Sequence, residues 1–183
     1  MLALMIGIVF AAVAGWAGYT FNRCIRHRNL MREAWSGVDV QLKRRHDLVP
    51  RLVDCVKGYK GYEASLLERL TQARNRAQLS RSVAESGEVE NGLAKTLQSL
   101  LVVAEAYPDL KASETFHKLS ADLIEIEDQI QYARRYYNGT VRDFNTLVES
   151  FPSGLVARLF GFRVAEFFEI ESNIERQAVE VRL

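Results

Sequence analysis

Glutamate and histidine stand three residues apart at Glu114 and His117, the spacing with which di-iron helical bundles present two metal ligands from one helix. Such a site needs a second pair of this kind and two further inward-facing glutamates. The other two histidines, His27 and His46, have no glutamate three residues before them. We therefore interpret Glu114 and His117 as an ordinary helix-surface pair, and we expect no metal ion and no other cofactor.

Other signatures of catalytic chemistry are absent from the sequence, which has no Gly-rich phosphate loop, no HExxH, no GxSxG and no Cys/His dyad spacing. The two cysteines, Cys24 and Cys55, form neither a CxxC pair nor a disulfide framework. We interpret Cys55 as a small core residue and Cys24 as an incidental neighbour of the membrane. No residue is predicted to be catalytic, and the chain is predicted not to be an enzyme.

Aromatic and basic residues alternate at Tyr132, Arg134, Arg135, Tyr136 and Tyr137, a combination that can bind RNA. The same residues at helical spacing can pack and form ion pairs in a helical bundle. With 24 basic and 23 acidic residues, the net charge is +1 and provides no overall field for nucleic acid. We therefore expect no nucleic-acid partner.

The segment from Met1 to Phe21 has no charged side chain and is rich in leucine, isoleucine, valine and alanine. About 20 apolar residues, each rising about 1.5 Å along a helix, cover a hydrocarbon core of about 30 Å. We predict a transmembrane anchor over residues 1–22, with Trp16 and Tyr19 at the membrane interface. The alternative is a cleaved signal peptide that ends near Ala12-Val13-Ala14, but no basic residue precedes the apolar run.

Four arginines follow the apolar run closely: Arg23, Arg26, Arg28 and Arg32. The first three are candidates for contact with the membrane interface. Because basic residues concentrate on the cytoplasmic side of a span, this pattern places the N-terminus outside and the remaining chain in the cytoplasm. We predict a single-pass protein of the inner (cytoplasmic) membrane.

Beyond the apolar run, hydrophobic residues recur in alternating steps of three and four, which is typical of helices that pack along coiled-coil-like seams. No strand pattern accompanies them. The first series contains Met31, Trp35, Val38, Leu42, Val49, Leu52, Val56 and Tyr59, and later series run from Leu66 to Ala77, from Leu93 to Tyr107 and from Phe116 to Phe151.

Glycine and proline mark the predicted connections between these helices. Gly58 and Gly61 weaken the first helix, and a turn is expected within residues 80–92, near Gly87. Pro108 ends the third helix, and Asp109 is well placed to start the fourth. Because short connections favour antiparallel neighbours, we predict an all-α fold in which the transmembrane helix is followed by an elongated antiparallel helical bundle. The predicted domains are the anchor (1–22), the bundle (23–150) and an aromatic-rich segment with a charged tail (151–183).

Three basic residues, Lys43, Arg44 and Arg45, interrupt the first series. On a helix they point in directions about 100° apart, so they cannot form one anion site, and only Arg45 faces the seam. A buried arginine needs a carboxylate, and we hypothesise that Arg45 pairs with one of Glu125, Glu127, Asp128 or Asp143. Pro50 lacks an N–H and is predicted to kink or break the helix, with Gly58 and Gly61 as the alternative position of the break.

The segment from Leu155 to Phe168 combines leucines and phenylalanines with Arg158 and Arg163. An amphipathic segment of this kind either closes the open end of a bundle or lies in a membrane interface. We favour the closing role and keep Phe160 and Phe162 as membrane-interface candidates.

Two long motifs, WSxxDVQLKRRxDLVP and ARRxYNxxVxxFN, together with EAYPDL and LFGF, resemble the LemA family of bacterial proteins from about Asn29 to Phe168. The resemblance implies an N-terminal membrane anchor, an antiparallel helical bundle, no known enzymatic activity and an unassigned molecular role. A magnetosome-associated branch of that family is connected with forming membrane compartments. The motif residues that we expect to be structural are Trp35, Asp39, Arg45, Asp47, Pro50, Tyr137, Asn138 and Phe144.

Together these features lead to a hypothesis of a non-enzymatic scaffold at the membrane that self-associates and organises or shapes the bilayer. Gly15 and Gly18, near one end of the apolar run, offer small residues for contact between helices. The expected partners are the lipid bilayer and further copies of the chain. The alternative is an adaptor that recruits an unidentified protein, such as a protease or a signalling system, at the cytoplasmic membrane.

Overall fold

The computed structural model describes residues 1–59 and 64–169. In these residues the protein is all-α, without strands, which confirms the predicted fold class. The described residues form helices α1 (Leu2–Lys57), α2 (Ala64–Gln78), α3 (Val83–Ala104), α4 (Pro108–Lys111), α5 (Glu114–Glu149) and α6 (Ser153–Leu159).

The chain divides by its contacts into two compact units. Unit 1 comprises Met1–Val38 and Ala133–Phe167, and the described part of unit 2 comprises residues within Asp39–Tyr132 together with Phe168 and Glu169. Helices α1 and α5 each contribute residues to both units. The predicted domain boundaries at residues 22 and 150 follow sequence composition and stay predictions.

Helix α1 continues through Pro50 and ends at Lys57. Just after it, the N–H groups of Gly58 and Tyr59 donate to the carbonyl oxygens of Cys55 and Val56, at 3.3 and 3.1 Å. These short-range bonds tighten the chain into a turn. The first helix therefore ends beside Gly58, and Gly61 lies outside the described residues.

The N-terminal part of α1 is long and apolar enough to cross a membrane, and no residue of its most apolar 18-residue stretch is buried. It is the one such helix in the part of the chain that the structure describes. Burial begins at Thr20, which is 3% exposed.

The predicted seams form the buried faces of the helices. On α5, Leu123, Ile130 and Phe144 are each at most 2% exposed. The last predicted seam position, Phe151, is 85% exposed, because α5 ends at Glu149 before the seam reaches it.

The turn expected within residues 80–92 occupies only the start of that range, since α3 already begins at Val83. The Ser82 hydroxyl accepts from the Glu85 N–H at 3.1 Å, and the Glu85 carboxylate accepts from the Arg81 N–H at 2.8 Å. These contacts resemble a capping box, whose S-x-x-E pattern starts a helix here. The expected connection near Gly87 was therefore wrong.

Gly87 lies inside α3 at a close approach of another segment. A Cβ atom at this position would collide with the carbonyl oxygen of Glu169. Next to Glu169, Phe168 is 0% exposed. The glycine therefore lets the backbone of Glu169 lie directly against α3, which explains its presence without a turn.

Pro108 and Asp109 lie in α4, a single turn with proline at its first position. The long helix α5 starts only at Glu114, where the Ser113 hydroxyl accepts from the Phe116 N–H at 3.3 Å. Ser113, rather than Asp109, therefore caps the long helix.

Candidate functional site

Three ionisable side chains in unit 2, Arg45, His46 and Glu90, form a cluster that we call the buried charge centre. They are 0%, 8% and 1% exposed. Arg45 and His46 come from α1 and Glu90 from α3. Lys43 and Arg44 are exposed, as their direction on the helix predicts.

Arg45 bridges two carboxylates. Its Nη1 donates to both oxygens of Glu127 on α5, at 2.7 and 3.0 Å, and its Nη2 donates to Oε2 of Glu90. Nε2 of His46 donates to the other oxygen, Oε1 of Glu90, at 2.7 Å. Glu127 is one of the four carboxylates proposed for Arg45 from the sequence, whereas Glu90 was missed.

Both oxygens of Glu90 accept hydrogen bonds from charged or polarised donors. Burial raises the pKa of Glu90, but the hydrogen bond from His46 and the positive charge of Arg45 outweigh burial and leave this pKa below its usual range. Glu90 is therefore ionised at neutral pH and is a weak proton acceptor. This arrangement suits ion pairing between helices better than acid–base catalysis.

The chain also compensates for Pro50. Proline lacks the N–H that would donate to the carbonyl oxygen four residues earlier, which is the carbonyl of His46. Nε of Arg74, on α2, donates to this oxygen at 3.2 Å. An arginine from another helix thus replaces the missing backbone bond, and α1 passes through Pro50 without ending.

Glu90 escaped prediction because its neighbours in sequence are polar and include glycine. The helical period gives the missing signal: continued back from Leu97 and Leu93 in steps of four and three, it reaches Glu90 and Ser86. Both polar residues are buried, at 1% and 7% exposed.

In unit 1, residues of the second motif hold the segment that follows α6. The ring of Tyr137 lies 5.2 Å from that of Trp35, and its hydroxyl donates to the carbonyl oxygen of Glu166 at 3.0 Å. Burial, and then the negative charge of Glu166, raise the pKa of Tyr137. The Asn145 side chain, which was missed, accepts from the Ala165 N–H at 2.7 Å and donates to its carbonyl at 2.9 Å.

Four phenylalanines form an aromatic cluster in unit 1. The Phe21 ring lies 4.8 Å from Phe160 and 5.8 Å from Phe162, and Phe162 lies 6.4 Å from Phe144. Phe162 is 8% exposed and belongs to the core with Cys24 and Phe144, whereas Phe160 is 54% exposed. The structure therefore separates the two candidates of the aromatic-rich segment: Phe162 packs in the core and Phe160 stays at the surface.

The two cysteines lie in different packing environments. Cys24 is 0% exposed and Cys55 is half-buried. Burial raises the pKa of both thiols, which disfavours the reactive thiolate.

The other membrane-interface candidates surround the end of the apolar run. Trp16 and Tyr19 are 39% and 63% exposed. The Arg23 guanidinium lies 6.0 Å from the centre of the Tyr19 ring, and that of Arg28 lies 5.4 Å from the centre of the Phe162 ring. Arg26 is exposed.

The remaining motif residues are at or near the surface. Asp39 and Asp47 are exposed, and Asn138 is half-buried. Residues 170–183, which make up the charged tail, lie outside the described residues.

Open grooves with charged walls lie among the described residues of unit 2. One, of about 320 Å³, is lined by residues of α1 and α5 that include Asp47, Arg51 and Glu125. Another, of about 570 Å³, lies between α2 and α3 and includes Arg76 and Glu88. Glu114 and His117 are exposed, and the described residues hold no group of three or more potential metal ligands.

Across the described residues, the helices and their contacts define an all-α protein in which one helix could cross a membrane. The sequence pattern of the LemA family matches residues 34–183, so the chain belongs to the LemA family. Protein LemA of Metamycoplasma hominis is 28% identical over 178 residues, which cover 97% of this chain and 79% of that protein.

Shorter similarities connect the chain with magnetosome proteins. Magnetosome protein MamQ 2 of Paramagnetospirillum magneticum is 30% identical over 80 residues, or 44% of this chain and 29% of that protein. Magnetosome protein MamQ of Magnetospirillum gryphiswaldense is 25% identical over 79 residues, with 43% and 29% coverage.

Proposed function

We propose that this LemA-family chain is a non-enzymatic, membrane-anchored helical scaffold that self-associates and organises or shapes the membrane. The observation that carries the proposal is the exposed apolar start of α1, which continues as one helix into the packed part of unit 1. Apolar side chains of this extent are stable in lipid and unfavourable in water. A rigid helix that passes from lipid into a folded unit holds that unit at the bilayer surface.

A structural role also accounts for the buried charge centre. Arg45, Glu90 and Glu127 connect three helices, and the carboxylate of Glu90 is engaged within the protein. Such a network selects one arrangement of helices more than it adds net stability. It therefore supports a scaffold that needs a defined shape, without requiring a substrate.

Self-association is supported by small residues on one face of the apolar segment. They recur every four residues at Ala3, Gly7, Ala11 and Gly15, and Ala14 and Gly18 lie on the same face. Nothing lies within 4 Å of a Cβ atom built on Gly7, Gly15 or Gly18, so the protein's own chain leaves this face open. Small residues let two transmembrane helices approach closely.

Crosslinking of the full chain in cells and in mild detergent tests self-association. We expect dimers or larger species from the native sequence and their loss from the double variant Gly7→Leu/Gly15→Leu, because leucine holds the helices apart. Val9→Leu/Val13→Leu changes the opposite face and should leave the species unchanged. A native chain that is strictly monomeric in detergent and does not crosslink in cells would refute self-association.

The role in membrane organisation and the orientation need separate tests. Because proteins similar to part of this chain carry the name magnetosome protein, the shape of lipid vesicles with the full chain incorporated is a reasonable readout. We expect clustered or deformed vesicles by electron microscopy, and unchanged vesicles would argue against this role. Protease applied outside intact cells should spare units 1 and 2 if both lie in the cytoplasm, as we propose.

An adaptor role is the second candidate, and the groove of about 570 Å³ between α2 and α3 favours it. Arg69, Arg76 and Glu88 line this groove and offer both signs of charge to a partner. A pull-down of the full chain separates the candidates. A scaffold returns mainly itself and lipid, whereas an adaptor returns one heterologous protein in stoichiometric amount, which Arg69→Ala/Arg76→Ala should release.

A further inference from the structure

Helix α6 buries its small residues and exposes its large apolar ones. Gly154, Val156 and Ala157 are buried. Leu155 and Leu159, four residues apart and hence on one side of the helix, are 60% and 79% exposed. With Phe160, which is 54% exposed, they form the surface that we call the α6 apolar face.

This face lies beside the end of the apolar segment of α1. The Phe160 ring lies 4.8 Å from the ring of Phe21, the last apolar residue of the uncharged run. Phe162, in the same turn of chain, also contacts Phe21, at 5.8 Å, and anchors the turn in the core of unit 1. The α6 apolar face therefore has a defined position relative to the segment that would cross the bilayer.

The length of the apolar segment shows how deep in the bilayer the α6 apolar face would lie. A run that ends at Phe21 covers the hydrocarbon core, of about 30 Å, so Phe21 lies close to the boundary with the headgroups. The headgroup region adds only about 5–8 Å on each side. Because Phe160 contacts Phe21, it lies at the level of this interface.

The segments that form this face and the end of α1 beside it carry basic residues and no acidic ones. Residues 1–32 and 150–165 contain no aspartate or glutamate. Their exposed arginines include Arg23, Arg26, Arg158 and Arg163. Basic side chains near an anionic lipid surface are attracted to its headgroups. Exposed apolar side chains with Arg158 and Arg163 near them in the sequence match the boundary between acyl chains and acidic headgroups.

We propose that the α6 apolar face is a membrane-contact surface that inserts into the anionic leaflet interface of the bilayer that α1 crosses. Leu155, Leu159 and Phe160 supply the apolar contact, and Arg158 and Arg163 bind the headgroups. Two attachments, one through the bilayer and one along its surface, hold unit 1 at one angle to the membrane. The inference rests on the membrane anchoring of the proposed function and does not depend on self-association.

Photocrosslinking tests the contact directly. The full chain, with Leu159 replaced by p-benzoylphenylalanine, is incorporated into vesicles of phosphatidylcholine and phosphatidylglycerol and illuminated. Mass spectrometry then detects lipid adducts. Leu159 is 79% exposed, so the replacement should not disturb folding, which circular dichroism checks.

Two further probe positions provide matched controls. Val9, in the apolar segment and 62% exposed, should give lipid adducts if α1 is an anchor. Tyr136, in the same unit and 56% exposed, should give none. Its neighbour Tyr137 contacts Trp35, which lies about 21 Å along α1 from Phe21, at about 1.5 Å per residue.

The outcomes separate the inference from the proposed function. Adducts at positions 9 and 159 but not at 136 support the membrane-contact surface. Adducts at 9 without adducts at 159 overturn the inference and leave the anchor in place, whereas their absence at 9 overturns the anchor itself. A crosslink from position 159 to a second copy of the chain would assign the face to an interface between protomers.

Vesicles of different lipid composition test whether Arg158 and Arg163 bind anionic headgroups. Arg158→Gln/Arg163→Gln should lower the adduct yield at position 159 several-fold in vesicles that contain phosphatidylglycerol. In pure phosphatidylcholine the variant and the native chain should give similar yields. Similar yields in both kinds of vesicle would overturn the proposed attraction to anionic headgroups.

Discussion

The two units differ in what their interiors contain, although α1 and α5 contribute to both. In unit 1 the seam of these helices buries aromatic and aliphatic side chains around Phe144 and Phe162. In unit 2 the corresponding seam position of α1 is occupied by Arg45, which bonds to Glu90 and Glu127. Helical spacing thus determines which positions are buried, and the side chain at each position determines what its partner must be.

The two interiors should respond differently to substitution. An apolar interior loses stability roughly in proportion to the volume removed, because each lost contact is small. A buried ion pair loses most of its benefit when one member is removed, because the other charge stays buried without compensation. In unit 2, the change in unfolding free energy caused by one substitution should therefore depend on whether its ion-pair partner is present. In unit 1, this change should depend on the side-chain volume that is removed.

The largest effect is expected from Arg45→Met, which removes the charge while keeping much of the side-chain length. Glu90 would stay buried without its arginine, and we expect the free energy of unfolding to fall by about 3–5 kcal/mol. Denaturant unfolding of the full chain in mild detergent, followed by circular dichroism, measures it. Arg44→Met changes an exposed neighbour and should alter stability by less than about 0.5 kcal/mol.

The double variant Arg45→Met/Glu90→Met sharpens this test. Because it replaces both buried charges with apolar groups, it should recover most of the stability lost in Arg45→Met. The two single variants, Arg45→Met and Glu90→Met, complete the cycle. If the double variant loses as much unfolding free energy as these two lose together, the charge centre is not the coupled unit that its contacts indicate.

In unit 1, Phe162→Ala should cost about 3–4 kcal/mol, because it opens a cavity beside Phe21 and Phe144. Phe160→Ala should cost clearly less, since Phe160 is 54% exposed against 8% for Phe162. The same unfolding measurement compares the two. Equal losses would contradict the different burial of these phenylalanines.

Gly87→Ala should destabilise unit 2 by about 1–3 kcal/mol, since the added methyl group meets the Glu169 carbonyl and must push the chain away from α3. Gly92, in the same helix, has open space at the Cβ position. Gly92→Ala should therefore stabilise the protein by about 0.5–1 kcal/mol through helix propensity alone. Opposite signs of the two changes in unfolding free energy are the expected result.

The helices and most of the buried seam positions could be predicted from the sequence, because a period of three to four residues is a local property of the chain. Leu123, Ile130 and Phe144 are buried as their spacing predicted. Glu90 and Asn145 were missed because their roles depend on contacts with distant segments. Gly87 led to the wrong prediction of a connection for the same reason. The need for glycine at this position inside α3 comes from its contact with Glu169, which lies far away in the sequence.

Titration should separate the two units. The pKa of Glu90 is lower in the folded protein than its ordinary value of 4.5, so its contribution to stability is present above that value and is lost as the pH falls further. The pKa of Tyr137 is above its ordinary value of 10.0, so its contribution is present below pH 10 and is lost at higher pH. Glu90→Gln should flatten the acid limb of stability against pH, and Tyr137→Phe the alkaline limb. A pH dependence that neither variant changes would contradict these assignments.

A smaller effect is the coupling between Pro50 and Arg74. Arg74→Ala should cost about 1–2 kcal/mol, because the His46 carbonyl loses its donor where Pro50 provides none. In the Pro50→Ala background the alanine N–H can donate to that carbonyl within α1, so the same substitution should cost about 1 kcal/mol less. The four unfolding free energies of this cycle measure the coupling directly. A cost of Arg74→Ala that is independent of residue 50 would mean that Arg74 stabilises unit 2 by packing alone, and that the proline is accommodated without help from α2.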